Sequence, residues 1–246
     1  MIWLPHLYTA TGAVLGFLAL VSVSAGDVRQ ALLWMLAATV VDGTDGWLAR
    51  RFRVKERLPS FDGARLDDIV DYLNYAVVPA YLVHATALLP AAVDRAIPAA
   101  MLLSSAYGFG RHDAKTTDHF FTGFPSYWNV FALYLYLAAL PGWINATILL
   151  LLCGLVFVRS VYVYPSRTSR LRGLTLALIV VWGATLLWMI WRLPDRSPRL
   201  LSATLLVPAY YTLLSVALDR RRRARRGGSP GRLTRSGPHD DNPVRG

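Results

Sequence analysis

Four aspartates stand at helical spacing in two short segments of the sequence. Asp42 and Asp45 are three residues apart, and Asp67 and Asp71 are four residues apart. Because an α-helix advances by about 100° per residue, the members of each pair lie within about 60° of each other and share a helix face. Two helices joined by the short intervening segment can bring these faces together. The sequence therefore predicts one cluster of carboxylates.

Such a cluster offers hard oxygen donors without histidine or cysteine. This donor set favours Mg²⁺ or Mn²⁺ over a metal that prefers soft ligands. Two such ions can clamp a diphosphate, neutralise its charge and stabilise the attacking and leaving oxygens of a phosphoryl transfer. We therefore predict a site for Mn²⁺ or Mg²⁺, with two ions, formed by Asp42, Asp45, Asp67 and Asp71.

A plainer interpretation treats these aspartates as solvated carboxylates at helix ends, balanced by neighbouring arginines. A carboxylate inside a membrane helix costs about 2.5 to 3.5 kcal/mol on insertion scales, so four of them indicate function. Two glycines also leave room for a nucleotide or its phosphates to approach the backbone. The spacing favours a functional cluster, because the aspartates are interspersed with Gly46, Ala49, Arg50 and Gly63.

The elements that must position these side chains are long apolar segments. Of the 246 residues, 54% are hydrophobic, which is too many for an ordinary soluble domain. Runs of the roughly 20 residues that cross a bilayer recur between charged or Pro/Gly breaks. We predict an all-α polytopic membrane helical bundle with about eight transmembrane helices. The predicted spans are 6–25, 29–50, 67–90, 95–110, 122–141, 143–163, 171–191 and 199–218.

The positive charges of the chain lie between the apolar runs and at the C-terminus. The formal net charge is +11, yet this distribution follows membrane topology, and we expect no nucleic-acid partner. Lysines and arginines crowd the loop 50–66, which we place in the cytoplasm with both termini. We predict a transmembrane domain over 1–218 and a basic, disordered tail over 219–246, whose composition cannot bury enough apolar surface to fold.

At the aspartate positions the sequence resembles the CDP-alcohol phosphotransferase family. The family signature has two aspartates three apart with a glycine after the second. An alanine and an arginine close its first half, and a glycine and two aspartates follow, each four residues apart. These places are taken here by Asp42, Asp45, Gly46, Ala49, Arg50, Gly63, Asp67 and Asp71.

The resemblance implies a role for each matched residue. Asp42, Asp45 and Asp67 would bind metal, and Asp71 would complete the metal site and act as general base on the acceptor hydroxyl. Gly46 and Ala49 would line the cytidine pocket, and Arg50 would help to hold the acidic site or the diphosphate. Gly63 would join this nucleotide and diphosphate pocket.

A longer interval between Arg50 and Gly63 than in most of the family resembles its bacterial phosphatidylcholine synthase branch. That branch implies choline as the acceptor. Aromatic faces can stabilise its fixed positive charge by about 0.5 to 2 kcal/mol per cation–π contact. Asn129 could orient the choline hydroxyl. The aromatic candidates are Tyr72, Tyr75 and Trp128, with Tyr107 and Tyr127 also considered.

We thus predict a metal-dependent transferase that moves the phosphatidyl group of CDP-diacylglycerol to choline and releases CMP. The resemblance also implies a homodimer among membrane lipid, in the inner (cytoplasmic) membrane of a bacterium. One alternative changes the acceptor to inositol phosphate, glycerol phosphate or serine, and basic residues such as Arg53, Lys55 and Arg65 keep it open. Another is a cation transporter, since membrane carboxylates also build ion paths.

Overall fold

The structure is a computed structural model that describes residues 2–111, 120–122, 124–158, 161–163, 172–210 and 212–213. Helices dominate it, which confirms the predicted helical class. They are α1 (Leu4–Ser24), α2 (Val28–Arg51), α3 (Val54–Arg57), α4 (Gly63–Tyr72), α5 (Val78–Ala85), α6 (Ala96–Gly110), α7 (Trp128–Ala138), α8 (Gly142–Phe157), α9 (Arg172–Trp191) and α10 (Pro198–Thr204).

Two short strands, which the sequence analysis does not predict, accompany the helices. Strand β1 (Phe120–Thr122) pairs antiparallel with β2 (Val161–Val163), so that Phe121 lies opposite Tyr162. Both strands fall at the ends of predicted membrane spans. Three residues per strand are too few to change the helical character of the molecule.

Within the part of the chain that the structure describes, two helices are long and apolar enough to cross a membrane: α1, and α9 from Gly173 to Trp191. Helices α6, α7 and α8 are apolar but shorter. The predicted number of about eight spans is therefore not confirmed. The span predicted over 122–141 shortens because α7 begins only at Trp128, after the non-helical residues 124–127, and ends before Ala139 adopts a left-handed conformation with φ of 48°.

Helix α1 packs along α2 and also contacts α4 and α5. Small residues on α1 allow its close approach to Val70 of α4 and to Asn74, because a Cβ on Gly12 would lie 2.6 Å from Val70 Cγ1 and one on Gly16 would lie 2.7 Å from Asn74 Oδ1. The central core is apolar, and its largest fully buried side chains include Leu32, Leu82, Trp128, Leu149 and Ile190.

Helices α4 and α5 form one helical stretch from Gly63 to Ala85, interrupted by a π-helical turn at Leu73–Val77. Asn74 fixes this turn against α1, because its side-chain amide donates to the Gly12 carbonyl and the Val70 carbonyl, each at 3.0 Å. A π-helical turn adds a residue to a helical repeat and so changes the direction of the side chains that follow it.

Large apolar side chains point outward from several helices. Phe17 on α1, Leu151 on α8 and Val180 on α9 each expose more than half of their surface. Such faces suit contact with acyl chains, because a helix satisfies its backbone hydrogen bonds internally and needs no water to do so. The predicted tail over 219–246 lies outside the residues that the structure describes, so the predicted domain division stays a prediction.

Candidate active site

Three of the four aspartates converge between α2 and α4. One carboxylate oxygen from each of Asp42, Asp67 and Asp71 lies within 4.8 Å of the other two, and all three residues are half-buried. Asp67 and Asp71 stand one turn apart on α4, and Asp42 approaches them from α2. We call these three residues the carboxylate cluster.

Local sequence fixes where the two helices begin. Asp27 caps α2 by accepting a hydrogen bond from the Gln30 backbone N–H at 3.0 Å. Asp62 caps α4 by accepting from the N–H groups of Ala64 and Arg65, each at 3.1 Å. Because caps satisfy N–H groups that lack partners inside the helix, they set the register at which α4 presents its aspartates.

The chemistry of the carboxylate cluster fits a divalent metal. Its donors are carboxylate oxygens, which hard cations prefer. Two negative charges no more than 4.8 Å apart repel by about 3 kcal/mol or more at an effective dielectric constant of about 20, and a cation between them makes the net interaction attractive. Asp42, Asp67 and Asp71 are therefore the residues that would hold the metal.

Asp45 takes a different direction from the same helix. It is buried, with 7% of its surface exposed, and its Oδ2 accepts a hydrogen bond from Thr9 Oγ1 of α1 at 2.8 Å. One residue earlier on each helix, the Tyr8 and Thr44 hydroxyls lie 2.7 Å apart. Asp45 is thus outside the carboxylate cluster, and its predicted role as a metal ligand stays a prediction.

Tyr75 connects the carboxylate cluster to the interior of the bundle. Its hydroxyl donates to Asp42 Oδ2 at 2.6 Å, and only 8% of the residue is exposed. Its ring meets that of Tyr127 edge to face, with 6.2 Å between centroids. The side chain therefore contacts a predicted metal ligand through its hydroxyl and another aromatic residue through its ring.

The predicted nucleotide residues lie on both sides of the loop between α2 and α4. A Cβ on Gly63 would lie 2.6 Å from His6 Cε1, so this glycine makes room for the His6 ring. A Cβ on Gly46 would lie 3.3 Å from a guanidinium nitrogen of Arg50. Ala49 is half-buried and Arg50 is exposed, three and four residues beyond Gly46 on α2. Their contact with a nucleotide stays a prediction.

The predicted acceptor residues separate into two groups. Trp128 is fully buried and donates to Ser105 Oγ at 2.6 Å, and the Tyr72 hydroxyl donates to the Leu102 carbonyl at 3.1 Å. Asn129 and Tyr75 instead line a cavity, with Asn129 donating to Thr39 Oγ1 at 3.0 Å.

This cavity has a volume of about 860 Å³ and lies among α7, α8, α9 and α10. Its wall is mainly apolar, with Leu135, Ile148, Leu152, Leu178 and Trp182 among its members. Thr39, Tyr75, Tyr127 and Asn129 also line it, so that it reaches the residue bound to Asp42. An apolar chamber thus adjoins a polar, carboxylate-rich site, which suits a substrate with both kinds of group.

The sequence profile of the CDP-alcohol phosphatidyltransferase family matches residues 2–158. The chain belongs to this family. Its members are integral membrane enzymes that generally depend on a divalent metal, and the chain is accordingly a membrane-bound phosphatidyltransferase. The matched residues include the carboxylate cluster, Asp45 and Tyr75.

Several relatives of this phosphatidyltransferase bear the name phosphatidylcholine synthase. The protein of Pseudomonas aeruginosa is 36% identical over 209 residues, which are 85% of this chain and 88% of the relative. That of Legionella pneumophila is 45% identical over 171 residues, 69% of this chain and 67% of the relative. That of Borreliella burgdorferi is 32% identical over 225 residues, 91% of this chain and 96% of the relative.

Three residues to which the sequence patterns assign no role are brought to this phosphatidyltransferase site by the structure. Thr9 holds Asp45, His6 packs against Gly63, and Asn74 fixes the π-helical turn. All three lie within the residues that the family profile matches, which is the signal that could have found them. The π-helical turn leaves no comparable mark in the sequence.

Proposed function

We propose that the chain is a phosphatidylcholine synthase that transfers the phosphatidyl group of CDP-diacylglycerol to choline and releases CMP. This proposal rests on one observation: relatives named phosphatidylcholine synthase are similar to this protein over most of the chain. The geometry supports it, because a carboxylate cluster adjoins an aromatic-edged apolar cavity. The polar part suits a diphosphate, and the cavity suits acyl chains.

We assign the metal site to Asp42, Asp67 and Asp71, with Asp45 as a further ligand for a second ion. When bound, Mn²⁺ or Mg²⁺ would neutralise the diphosphate and the charge that develops on the leaving phosphate. Gly46, Ala49, Arg50 and Gly63 are assigned to the nucleotide and its diphosphate. The exposed Arg50 supplies a planar guanidinium that can donate to phosphate oxygens.

The transfer itself is assigned to Asp71. Its carboxylate accepts the proton of the choline hydroxyl while the hydroxyl oxygen attacks the phosphorus that carries diacylglycerol. The bond from this phosphorus to the bridging oxygen breaks, and CMP leaves with the bond electrons. General base assistance is typically worth about 10² to 10⁴ in rate.

We place choline where the aromatic edge of the cavity meets the carboxylate cluster. Tyr75 and Tyr127 can present ring faces there, and Asn129 can orient the hydroxyl. Tyr72 and Trp128 enter this pocket only if their present hydrogen bonds break, so we assign them a supporting role behind it. The quaternary ammonium of choline is charged but forms no conventional hydrogen bonds, so cation–π contacts are the means of stabilising it.

We further propose that the protein is a homodimer in the inner membrane of a bacterium. The loop 50–66 and both termini would face the cytoplasm, as the lysine and arginine distribution favours. CDP-diacylglycerol would then enter from the cytoplasmic leaflet, with its acyl chains in the cavity.

The test is CMP release by purified protein supplied with CDP-diacylglycerol and Mn²⁺ or Mg²⁺. Choline is compared with inositol phosphate, glycerol phosphate and serine at equal concentrations. We expect release that depends on choline and stops when a chelator is added. Release with another alcohol instead would overturn the choline assignment and keep the transfer chemistry. Cation counterflow in vesicles without any CMP release would overturn the transferase proposal as a whole.

A further inference from the structure

A hydrogen bond from Tyr75 restrains one of the three residues of the carboxylate cluster. The Tyr75 hydroxyl lies 2.6 Å from Asp42 Oδ2, a short distance typical of O–H···O⁻ bonds to a carboxylate. A hydrogen bond to one oxygen fixes the rotation of the whole carboxylate, and with it the direction of both oxygens. A carboxylate oxygen of Asp42 also lies within 4.8 Å of carboxylate oxygens of Asp67 and Asp71, so this hydrogen bond sets how Asp42 faces them.

The Tyr75 side chain is itself held from several sides. It is 8% exposed, and its ring packs edge to face on Tyr127. Tyr75 is also the middle residue of the π-helical turn Leu73–Val77. Asn74, the preceding residue, ties this turn to α1 through the Gly12 carbonyl. A rigid donor loses little conformational freedom when it forms its hydrogen bond, which makes it an effective support for a ligand.

We infer that Tyr75 is a positioning residue for the metal site: its hydroxyl orients Asp42 toward the ion, and its ring separately forms part of the acceptor pocket. The inference rests on the proposed metal-dependent function. Hydrogen-bond partners of metal ligands fix ligand orientation, and their loss typically costs about 10- to 100-fold in metal affinity or activity. The two roles use different atoms of Tyr75 and can therefore be separated by substitution.

The main test compares Tyr75→Phe with wild type in Mn²⁺ binding without substrates. Free Mn²⁺ is measured by electron paramagnetic resonance during titration of the purified protein. Tyr75→Phe keeps the ring and removes the hydroxyl, so we expect the Kd for Mn²⁺ to rise about 10-fold or more. The KM for choline should stay within about twofold of wild type, because cation–π attraction needs only the ring.

A matched control is Tyr81→Phe on α5. The Tyr81 hydroxyl lies 3.0 Å from Ser24 Oγ, so this variant also loses one hydroxyl contact between helices. Its affinity for Mn²⁺ should equal that of wild type. Tyr75→Leu, which removes the ring as well, should raise both the Kd for Mn²⁺ and the KM for choline.

A purely structural hydroxyl would give a different pattern. Tyr75→Phe would then lower the thermal unfolding temperature and leave the Kd for Mn²⁺ unchanged, which would overturn the inference. For a variant that does not survive purification, the Mn²⁺ concentration that gives half-maximal CMP release is measured in isolated membranes. An unchanged value there would equally overturn it.

The outcomes also separate this inference from the proposed function. Wild-type protein that binds Mn²⁺ but ignores choline, together with weaker binding by Tyr75→Phe, would support the positioning role while the acceptor assignment fails. Choline-dependent release with identical Mn²⁺ binding by both proteins would support the function and overturn the positioning role. A wild-type protein that binds no Mn²⁺ would overturn the metal site and this inference together.

Discussion

Each aspartate of the motif has different neighbours, so equal substitutions at these positions will have unequal effects. Asp42 accepts from Tyr75, and Asp45 accepts from Thr9 on another helix. Asp67 and Asp71 complete the carboxylate cluster from α4. The motif thus combines residues directed at the cluster with one that is directed at a neighbouring helix.

Replacing Asp71 with asparagine should remove turnover while keeping the fold. Asparagine has nearly the same shape as aspartate but cannot accept a proton or bring a negative charge to the metal. We expect CMP release to fall by about 10² or more, as for loss of a general base. Release is measured at saturating choline, and the thermal unfolding temperature is measured on the same preparation.

The matched control for this substitution is Asp68→Asn. Asp68 is also half-buried on α4, three residues before Asp71, and lies outside the family signature. Its replacement makes the same chemical change on the same helix and should leave turnover within about twofold. Turnover close to wild type in Asp71→Asn would contradict the assignment of the base.

The approach of Asp67 and Asp71 to Asp42 could be predicted from spacing, because residues four apart on a helix share a face. The direction of the Asp45 side chain could not be predicted from this spacing. Three residues place it about 60° from Asp42 on α2, which is enough for the two side chains to face different neighbours. The position of α1, which supplies Thr9, follows from tertiary packing and not from the spacing of the motif.

At the scale of elements, the junction between α1 and the π-helical turn affects the carboxylate cluster without contributing a residue to it. A Cβ on Gly16 would lie 2.7 Å from Asn74 Oδ1 and 3.1 Å from Leu73 Cδ2. Gly16→Ala should therefore push the π-helical turn away from α1. We expect a loss of about 1 to 3 kcal/mol of stability, as for overpacking elsewhere, and weaker Mn²⁺ binding. Chemical unfolding and Mn²⁺ titration measure these two effects.

Gly154→Ala on α8 provides the comparison for this substitution. Among the described residues, apart from the backbone of its own helical turns and its chain neighbours, no atom lies within 4 Å of a Cβ built on Gly154, so alanine fits there without displacement. Because alanine favours helix by about 1 kcal/mol over glycine, this variant should be as stable as wild type or more stable. Equal stability and Mn²⁺ affinity for Gly16→Ala and wild type would show that the junction tolerates movement.

Apolar runs locate the helices well but not their lengths. The predicted spans 6–25 and 29–50 nearly coincide with α1 and α2. The predicted span 67–90 corresponds to the stretch from Gly63 to Ala85, which starts earlier because Asp62 caps it. Hydrophobicity cannot reveal the start of a helix that a polar cap determines, nor a π-helical turn, since both leave the apolar content unchanged.

At the scale of the whole molecule, the cavity gives the phosphatidyltransferase an apolar chamber beside its polar site. If acyl chains occupy it, Leu178→Trp should narrow the chamber from α9. Loss of contact with two methylenes costs about 1.6 kcal/mol, so the KM for dioleoyl CDP-diacylglycerol should rise about 15-fold. The KM for a dihexanoyl substrate should change less. CMP release with each substrate provides both values.

Val180→Trp tests whether any added indole on α9 has the same effect. Val180 is 68% exposed and is absent from the cavity wall, so its replacement should alter neither KM. An equal change for both substrates in Leu178→Trp would argue against acyl chains in the cavity.

The π-helical turn makes the helical stretch from Gly63 to Ala85 depend on the number of its residues in an unusual way. The turn takes up one residue more than regular α-helix would, so its conversion to α-helix without a deletion would rotate the following residues by about 100° relative to Asp67 and Asp71. Val78 and Leu82, which are fully buried, would then face the wrong neighbours. Deleting one residue from the turn removes the excess and keeps those faces. Mutational scanning should therefore find a deletion of Val77, at the end of the turn, better tolerated than a one-residue deletion inside the regular helix α4.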